Sequence, residues 1–168
     1  MPGGSGASSV YATQTGGAVW HRVRLPLPSG ASSTIIDAIS PDQTSRESNL
    51  LAVTLPRPHA SGLDGFAVFT TKNGAASFTL NGDVAFGVTS VGTMVVSIPD
   101  SSDVIAMADQ SNPSGVATYS SSDAGIHFDR TVALAQAGQA ALADATQVKS
   151  ASFVNTQVGW AVALFKAC

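Results

Sequence analysis

The sequence predicts an all-β repeat protein of short antiparallel strands, and three observations predict it. One turn-like decapeptide recurs as Tyr-Ala-Thr-Gln-Thr-Gly-Gly-Ala-Val-Trp (Tyr11 to Trp20), Phe-Thr-Thr-Lys-Asn-Gly-Ala-Ala-Ser-Phe (Phe69 to Phe78) and Tyr-Ser-Ser-Ser-Asp-Ala-Gly-Ile-His-Phe (Tyr119 to Phe128). Aligned on the closing aromatic, all three read hydroxyl, any, Asp-like, any, small, any, any, aromatic. Trp20, Phe78 and Phe128 are 58 and 50 residues apart, a period at which each unit is one supersecondary element that cannot bury its face alone. Each copy follows a strand-like run. The composition agrees: 44% of residues are hydrophobic but only 11% are charged, and Gly, Ser, Thr and Ala dominate. That balance suits short strands and tight turns better than helices with charged faces.

The repeat resembles the Asp-box (BNR) motif of sialidase-like β-propellers, Ser-x-Asp-x-Gly-x-Thr-Trp. The third copy is most similar, with Ser121, Asp123, Gly125 and Phe128, and His127 in the threonine slot. The second has Thr71, Asn73, Ser77 and Phe78, with Ala75 in place of glycine; the first has Thr13, Gly17 and Trp20, with Thr15 in the acidic slot. A further stretch, Ser152 to Ala163 (Ser-Phe-Val-Asn-Thr-Gln-Val-Gly-Trp-Ala-Val-Ala), is similar to the opening strands of propeller blades related to the photosystem II stability and assembly factor. The resemblance covers most of the chain and implies four-stranded antiparallel blades with the box at the turn between the third and fourth strands.

Labelled A to D within a blade, the strands follow in order. Val10 to Thr13 enters the first box as a strand C, and Val19 to Leu25 leaves it as D. A full unit then reads A at Thr34 to Ile39, B at Leu50 to Leu55, C at Phe66 to Thr70 and D at Ser77 to Leu80. The next has A at Thr93 to Ile98, B at Val104 to Ala108, C at Val116 to Ser120 and D at His127 to Val132. Val148 to Val154 and Trp160 to Phe165 supply a last A and B. The intervening loops are rich in Pro, Ser, Gly, Asp and Asn, as turns require. Ala133 to Asp144 is alanine-rich but carries Gly138, and is read as a D–A connection. The expected domain is one partial propeller over 10–168 after a flexible 1–9: half blade 10–25, blades 34–80 and 93–132, half blade 148–165. Three blade equivalents fall below the usual minimum of about four. The chain is therefore expected to be a fragment of a larger propeller, or to complete a ring with other copies.

In the box, a short Asx side chain accepts backbone N–H groups, glycine supplies positive φ, and the closing aromatic turns inward. Thr13, Thr15, Gly17, Trp20, Thr71, Asn73, Ala75, Phe78, Ser121, Asp123, Gly125 and Phe128 are accordingly structural. Trp20, Phe78, Phe128 and Trp160 are expected to be buried between sheets, and Tyr11 and Tyr119 to pack on strand C.

Catalytic chemistry is thin. Retaining glycosidases use two carboxyls, and sialidases add an arginine cluster and a Tyr–Glu nucleophile pair; Glu47 is the single glutamate here, in a polar A–B loop. Arg24-Leu25-Pro26 looks like a sialidase Arg-Ile-Pro motif but follows a box instead of preceding one, and reads as structural. No catalytic residue is assigned. His21, His59 and His127 lack metal-site spacing, Cys168 is the single cysteine, and no cofactor loop appears. The net charge of −3 with scattered basic residues argues against nucleic acid, and no apolar run is long enough to insert in a membrane. No signal peptide is visible and the compartment is open, although related propellers are often extracytoplasmic. By analogy the B–C loops ring a ligand face, which makes Arg57, His59, Asp64, Asp109, Gln110 and Asn112 the candidate contact residues. The expected function is a non-catalytic propeller module or fragment, serving as a scaffold or as a protein- or glycan-binding surface. The alternative is part of a sialidase-type hydrolase whose catalytic residues lie mostly elsewhere. The half blades predict self-association.

Overall fold

The computed structural model describes residues 10–31, 35–40, 49–56, 62–87, 91–111, 114–132 and 145–165. These residues form twelve strands and, among them, no helix: β1 (Val10–Ala12), β2 (His21–Val23), β3 (Ile35–Ser40), β4 (Asn49–Pro56), β5 (Leu63–Thr71), β6 (Thr79–Ala85), β7 (Val91–Ser97), β8 (Val104–Ser111), β9 (Ser114–Ser121), β10 (Asp129–Val132), β11 (Ala145–Phe153) and β12 (Gly159–Phe165). Every strand lies at or within a few residues of its expected span. The expected N-terminal tail, the Glu47 loop, the 133–144 connection and Cys168 lie outside the described residues.

All pairings are antiparallel. β3 to β6 form one meander, each strand bonded to the next, and β7 to β10 form a second. A single pairing, Leu63 with Val91, joins the two at one end. β1–β2 and β11–β12 are separate two-stranded sheets. The first strands of successive units lie side by side, β3 beside β7 and β7 beside β11.

The two meanders, joined by that one pairing, and the two half sheets stack in chain order, because alternate residues of the central strands β4, β5, β8 and β9 face opposite neighbours. In β4 and β5, Leu50, Ala52, Phe66 and Val68 meet the second meander, while Leu51, Val53, Ala67 and Phe69 meet β1–β2 through Val10 and Val23. In β8 and β9, Val104, Ala106, Ala117 and Tyr119 face the first meander, while Met107 and Val116 face β11–β12 through Val148. Strands covered on both faces read as continuous apolar runs, as Leu-Leu-Ala-Val and Val-Ile-Ala-Met do. At the centre, Phe66 packs on Phe86, Tyr119 and Phe128 with ring centroids 6.1, 5.6 and 5.0 Å away.

Three burial expectations need correction. Phe78 and Phe128 are half-buried against the cores, but Trp20 is 58% exposed, Trp160 62% and Tyr11 60%. The cause is position in the stack. Tyr11 and Trp20 match Phe69 and Phe78 of the first meander, and Tyr119 and Phe128 of the second, all of which pack on the preceding sheet. Among the described residues no sheet precedes β1–β2. Trp160 lies on the side of β11–β12 that faces away from the stack, where no described sheet follows.

Candidate functional site

The three repeated turns share one hydrogen-bond scheme. Ser121 Oγ accepts the N–H groups of Asp123 (3.3 Å) and Gly125 (2.9 Å) and donates to Asp123 Oδ1 (2.7 Å), which in turn accepts the His127 N–H (2.9 Å). In the second turn, Thr71 Oγ1 accepts from Asn73 and Ala75 and donates to Asn73 Oδ1, which accepts the Ser77 N–H at 3.0 Å. In the first, Thr13 Oγ1 accepts from Thr15 and Gly17, and Thr15 Oγ1 takes the acidic role by accepting the Val19 N–H at 2.9 Å. A hydroxyl therefore does here what a carboxylate or amide oxygen does in the other two. Each turn passes through two residues of positive φ: Gly16 and Gly17, Gly74 and Ala75, Ala124 and Gly125. The Cβ of Ala75 and Ala124 is tolerated at a cost of about 1 kcal/mol each, since left-handed backbone is unfavourable for L residues.

The turns also brace neighbouring sheets. Gln14 Nε2 donates to the carbonyls of Asn73 (2.8 Å) and Gly74 (3.3 Å), and Asn81 Nδ2 to that of Ala124 (2.8 Å). All three turns therefore sit at one end of the stack, with the A–B turn whose Ser102 carbonyl accepts the Ala124 N–H. In that turn Asp100 accepts the Ser102 and Asp103 N–H groups, which lowers its pKa.

The Asp123 carboxyl is held far below the ordinary aspartate range. The His127 backbone N–H is the largest cause, followed by the His127 ring (Nδ1 2.7 Å from Oδ2) and the Ser121 hydroxyl. A depressed folded-state pKa contributes stability that is complete above the unfolded pKa and is lost as pH falls through the folded one. Asp123→Asn is therefore expected to lower the denaturation midpoint at neutral pH, with the gap to wild type narrowing on acidification below about pH 4. A gap independent of pH would show that the charge contributes nothing.

The opposite end holds the described part of the expected ligand face. Arg57, His59 and Asn112 lie outside the described residues. Asp64 is exposed and lines a cleft of about 260 Å3 with Pro28 to Ala31, Leu55, Pro56, Asp83 to Ala85 and Gly87. Asp109 and Gln110 are placed differently. Asp109 Oδ1 accepts the Val148 N–H at 2.8 Å and Oδ2 accepts the Thr93 hydroxyl, so this carboxylate ties β11 to β8 and β7. Gln110 is buried; its Oε1 accepts from Arg130 Nη2 at 3.0 Å, while its Nε2 has no hydrogen-bond partner among the described residues. Asp83 and the Pro28-Ser29-Gly30 turn, not singled out from sequence, complete the cleft; the Pro-Ser-Gly triplet signals the turn but not the pocket it walls. Among the described residues no three His, Cys, Asp or Glu side chains are grouped to hold a metal ion, and no helix is long and apolar enough to cross a membrane.

The described residues define an all-β, antiparallel protein. No family model matches the chain, and no curated protein or solved structure matches it either.

Proposed function

We propose that the chain is a non-catalytic β-propeller repeat module whose meanders act as blades and whose end opposite the repeated turns binds a protein or glycan ligand. One observation carries this reading: the turns occupy one end of the stack, bonded into structure, and the cleft lined by Asp64 and Asp83 opens at the other. The side-by-side approach of β3, β7 and β11 supports it, because blades converge on their first strands. Two carboxylates on a wall of Pro, Gly and Ala favour a ligand rich in hydroxyl or ammonium groups.

The test is binding of purified protein to immobilised neutral and amino-sugar glycans and to basic peptides, comparing Asp64→Asn/Asp83→Asn with a Lys72→Ala control at the other end. The double variant is expected to bind at least about tenfold more weakly, a loss of the size that one or two charge-assisted hydrogen bonds account for, with the control unchanged. Binding that ignores the double variant would place the contact surface elsewhere. Turnover of an aryl sialoside that is abolished by Glu47→Gln would overturn the non-catalytic reading.

A further inference from the structure

We infer that a second cleft, where the two meanders meet the β11–β12 sheet, binds a small organic monocarboxylate, with the Lys149 ammonium as the partner of its charge. The cleft has a volume of about 320 Å3 and shares no lining residue with the one at Asp64 and Asp83. The first meander contributes Thr54 and Leu63, the second Gly92 to Val95, and β11 Gln147 to Lys149. The site depends neither on the Asp64 cleft nor on reading the meanders as blades.

Two β-bulges build the cleft. β7 pairs Val91 with Gln110 and Met94 with Ala108, so Gly92 and Thr93 together oppose the single residue Asp109. β11 pairs Val148 with Ala163 and Ser150 with Val162, which leaves Lys149 as an extra residue with no partner on β12. A bulge takes its extra residue out of the ladder and re-aims side chains, and bulges are over-represented beside functional sites for that reason. The Asp109 carboxylate fastens both irregularities. One oxygen accepts the Thr93 hydroxyl inside the first bulge, and the other accepts the Val148 N–H next to Lys149. Two separate departures from regular pairing are thereby held against each other in one cleft.

The polar groups left over set the charge of the ligand. Both Asp109 oxygens are engaged within the protein, whereas among the described residues the Lys149 ammonium and the Gln147 amide have no partner. An ammonium and an amide N–H2 at one cleft offer charge-assisted and neutral hydrogen bonds to an anionic acceptor. The fixed charge of Asp109 beside them counts against a doubly charged phosphate and favours a singly charged carboxylate. Buried Leu63 and Met94 line the same cleft and suit a short apolar body behind the charge. The volume is at the low end of the roughly 300–1,000 Å3 of small-molecule pockets, so the ligand is a small molecule and not a polymer. Gly92 keeps the space open: a Cβ there would meet nothing within 4 Å, and its backbone lies outside the left-handed region that calls for glycine. A larger side chain at residue 92 would therefore fill the cleft without strain.

The experiment is an NMR titration of the full chain at constant ionic strength with sodium butyrate, its neutral isostere butyramide, inorganic phosphate and a short glutamate-containing peptide. Butyrate is expected to shift the amides of Gly92, Thr93 and Lys149 with a dissociation constant of about 1–10 mM, ordinary for so small a ligand. Butyramide and phosphate are expected to bind at least about tenfold more weakly. Lys149→Met is expected to weaken butyrate binding by about tenfold or more, the size of one charge-assisted hydrogen bond. Gly92→Leu is expected to abolish it at an unchanged denaturation midpoint, and Lys149→Met, at an exposed residue, keeps the test valid however Gly92→Leu folds. Asp64→Asn/Asp83→Asn is expected to leave it unchanged, so that failure here and failure of the Asp64 cleft are read apart. Butyrate that shifts none of these amides, or that binds Lys149→Met as tightly as wild type, overturns the proposal. Equal binding of butyramide overturns the recognition of charge, and tighter binding of phosphate overturns the carboxylate. Binding of the peptide without butyrate overturns the small-molecule ligand and assigns the carboxylate to a partner protein.

Discussion

Phe66→Ala is expected to destabilise the protein by about 3–5 kcal/mol, the range for truncating a buried aromatic without collapse of the space it leaves. Collapse is obstructed on every side. Phe66 is fully buried, and Phe86, Tyr119 and Phe128 stand around it with ring centroids 5.0 to 6.1 Å away. Two of those rings come from the second meander, so the cavity would open at the interface between the sheets, not within one. Edge-on pairs of this kind add to the energy of burial alone. The strand backbone at Phe66 is pinned between Thr54 and Val84 and cannot move to fill the gap. Against a typical total of about 5–15 kcal/mol, the loss leaves a marginal fold. Denaturant titration checks it, with the midpoint falling at near-constant slope. A loss under about 1 kcal/mol would mean that the two meanders do not pack through this cluster.

The strands were legible because both of their signals are local. A repeated turn marks every C–D connection, and two-sided burial writes continuous apolar runs into β4, β5 and β8. What was not legible depends on neighbours far along the chain. The sequence reading ends strand D at Leu80, since Asn81-Gly82-Asp83 has the chemistry of a turn. The structure instead carries β6 to Ala85. Asn81 donates to the Ala124 carbonyl, and the missing side chain of Gly82 admits the backbone of Gly125 and Ile126, so both residues serve contact between sheets. Trp20 and Trp160 are misjudged for the converse reason. Their pattern is that of buried positions, and only the absence of an adjoining described sheet exposes them. At the candidate site, Asp64 was legible as a B–C loop acid, whereas Asp109 looks the same in sequence and is committed to the Val148 N–H. Asp83 enters the cleft only because β6 runs on.

Gly125→Val is expected to be at least as damaging, costing about 3 kcal/mol or more, through two effects that can be separated. The first is backbone strain. Gly125 holds φ +82°, a region that a β-branched residue occupies at a cost of about 1–3 kcal/mol. Ala75 fills the matching slot of the second turn at φ 64°, so the turn geometry by itself accepts a methyl group. The second effect is particular to this copy. A Cβ on Gly125 would lie 2.7 Å from Val68 Cβ and 2.8 Å from its Cγ1, and Val68 is a fully buried residue of the first meander. Overpacking of that kind typically costs about 1–3 kcal/mol. Gly125→Ala should therefore also destabilise, even though alanine is native at residue 75. Combining it with Val68→Ala should return part of the loss, a coupling expected between residues in contact and absent between independent sites. Denaturation midpoints of the two single variants and the double variant decide the matter. Strictly additive losses would mean that the third turn does not press on β5, and that the sheets are held together by their apolar faces without the turns.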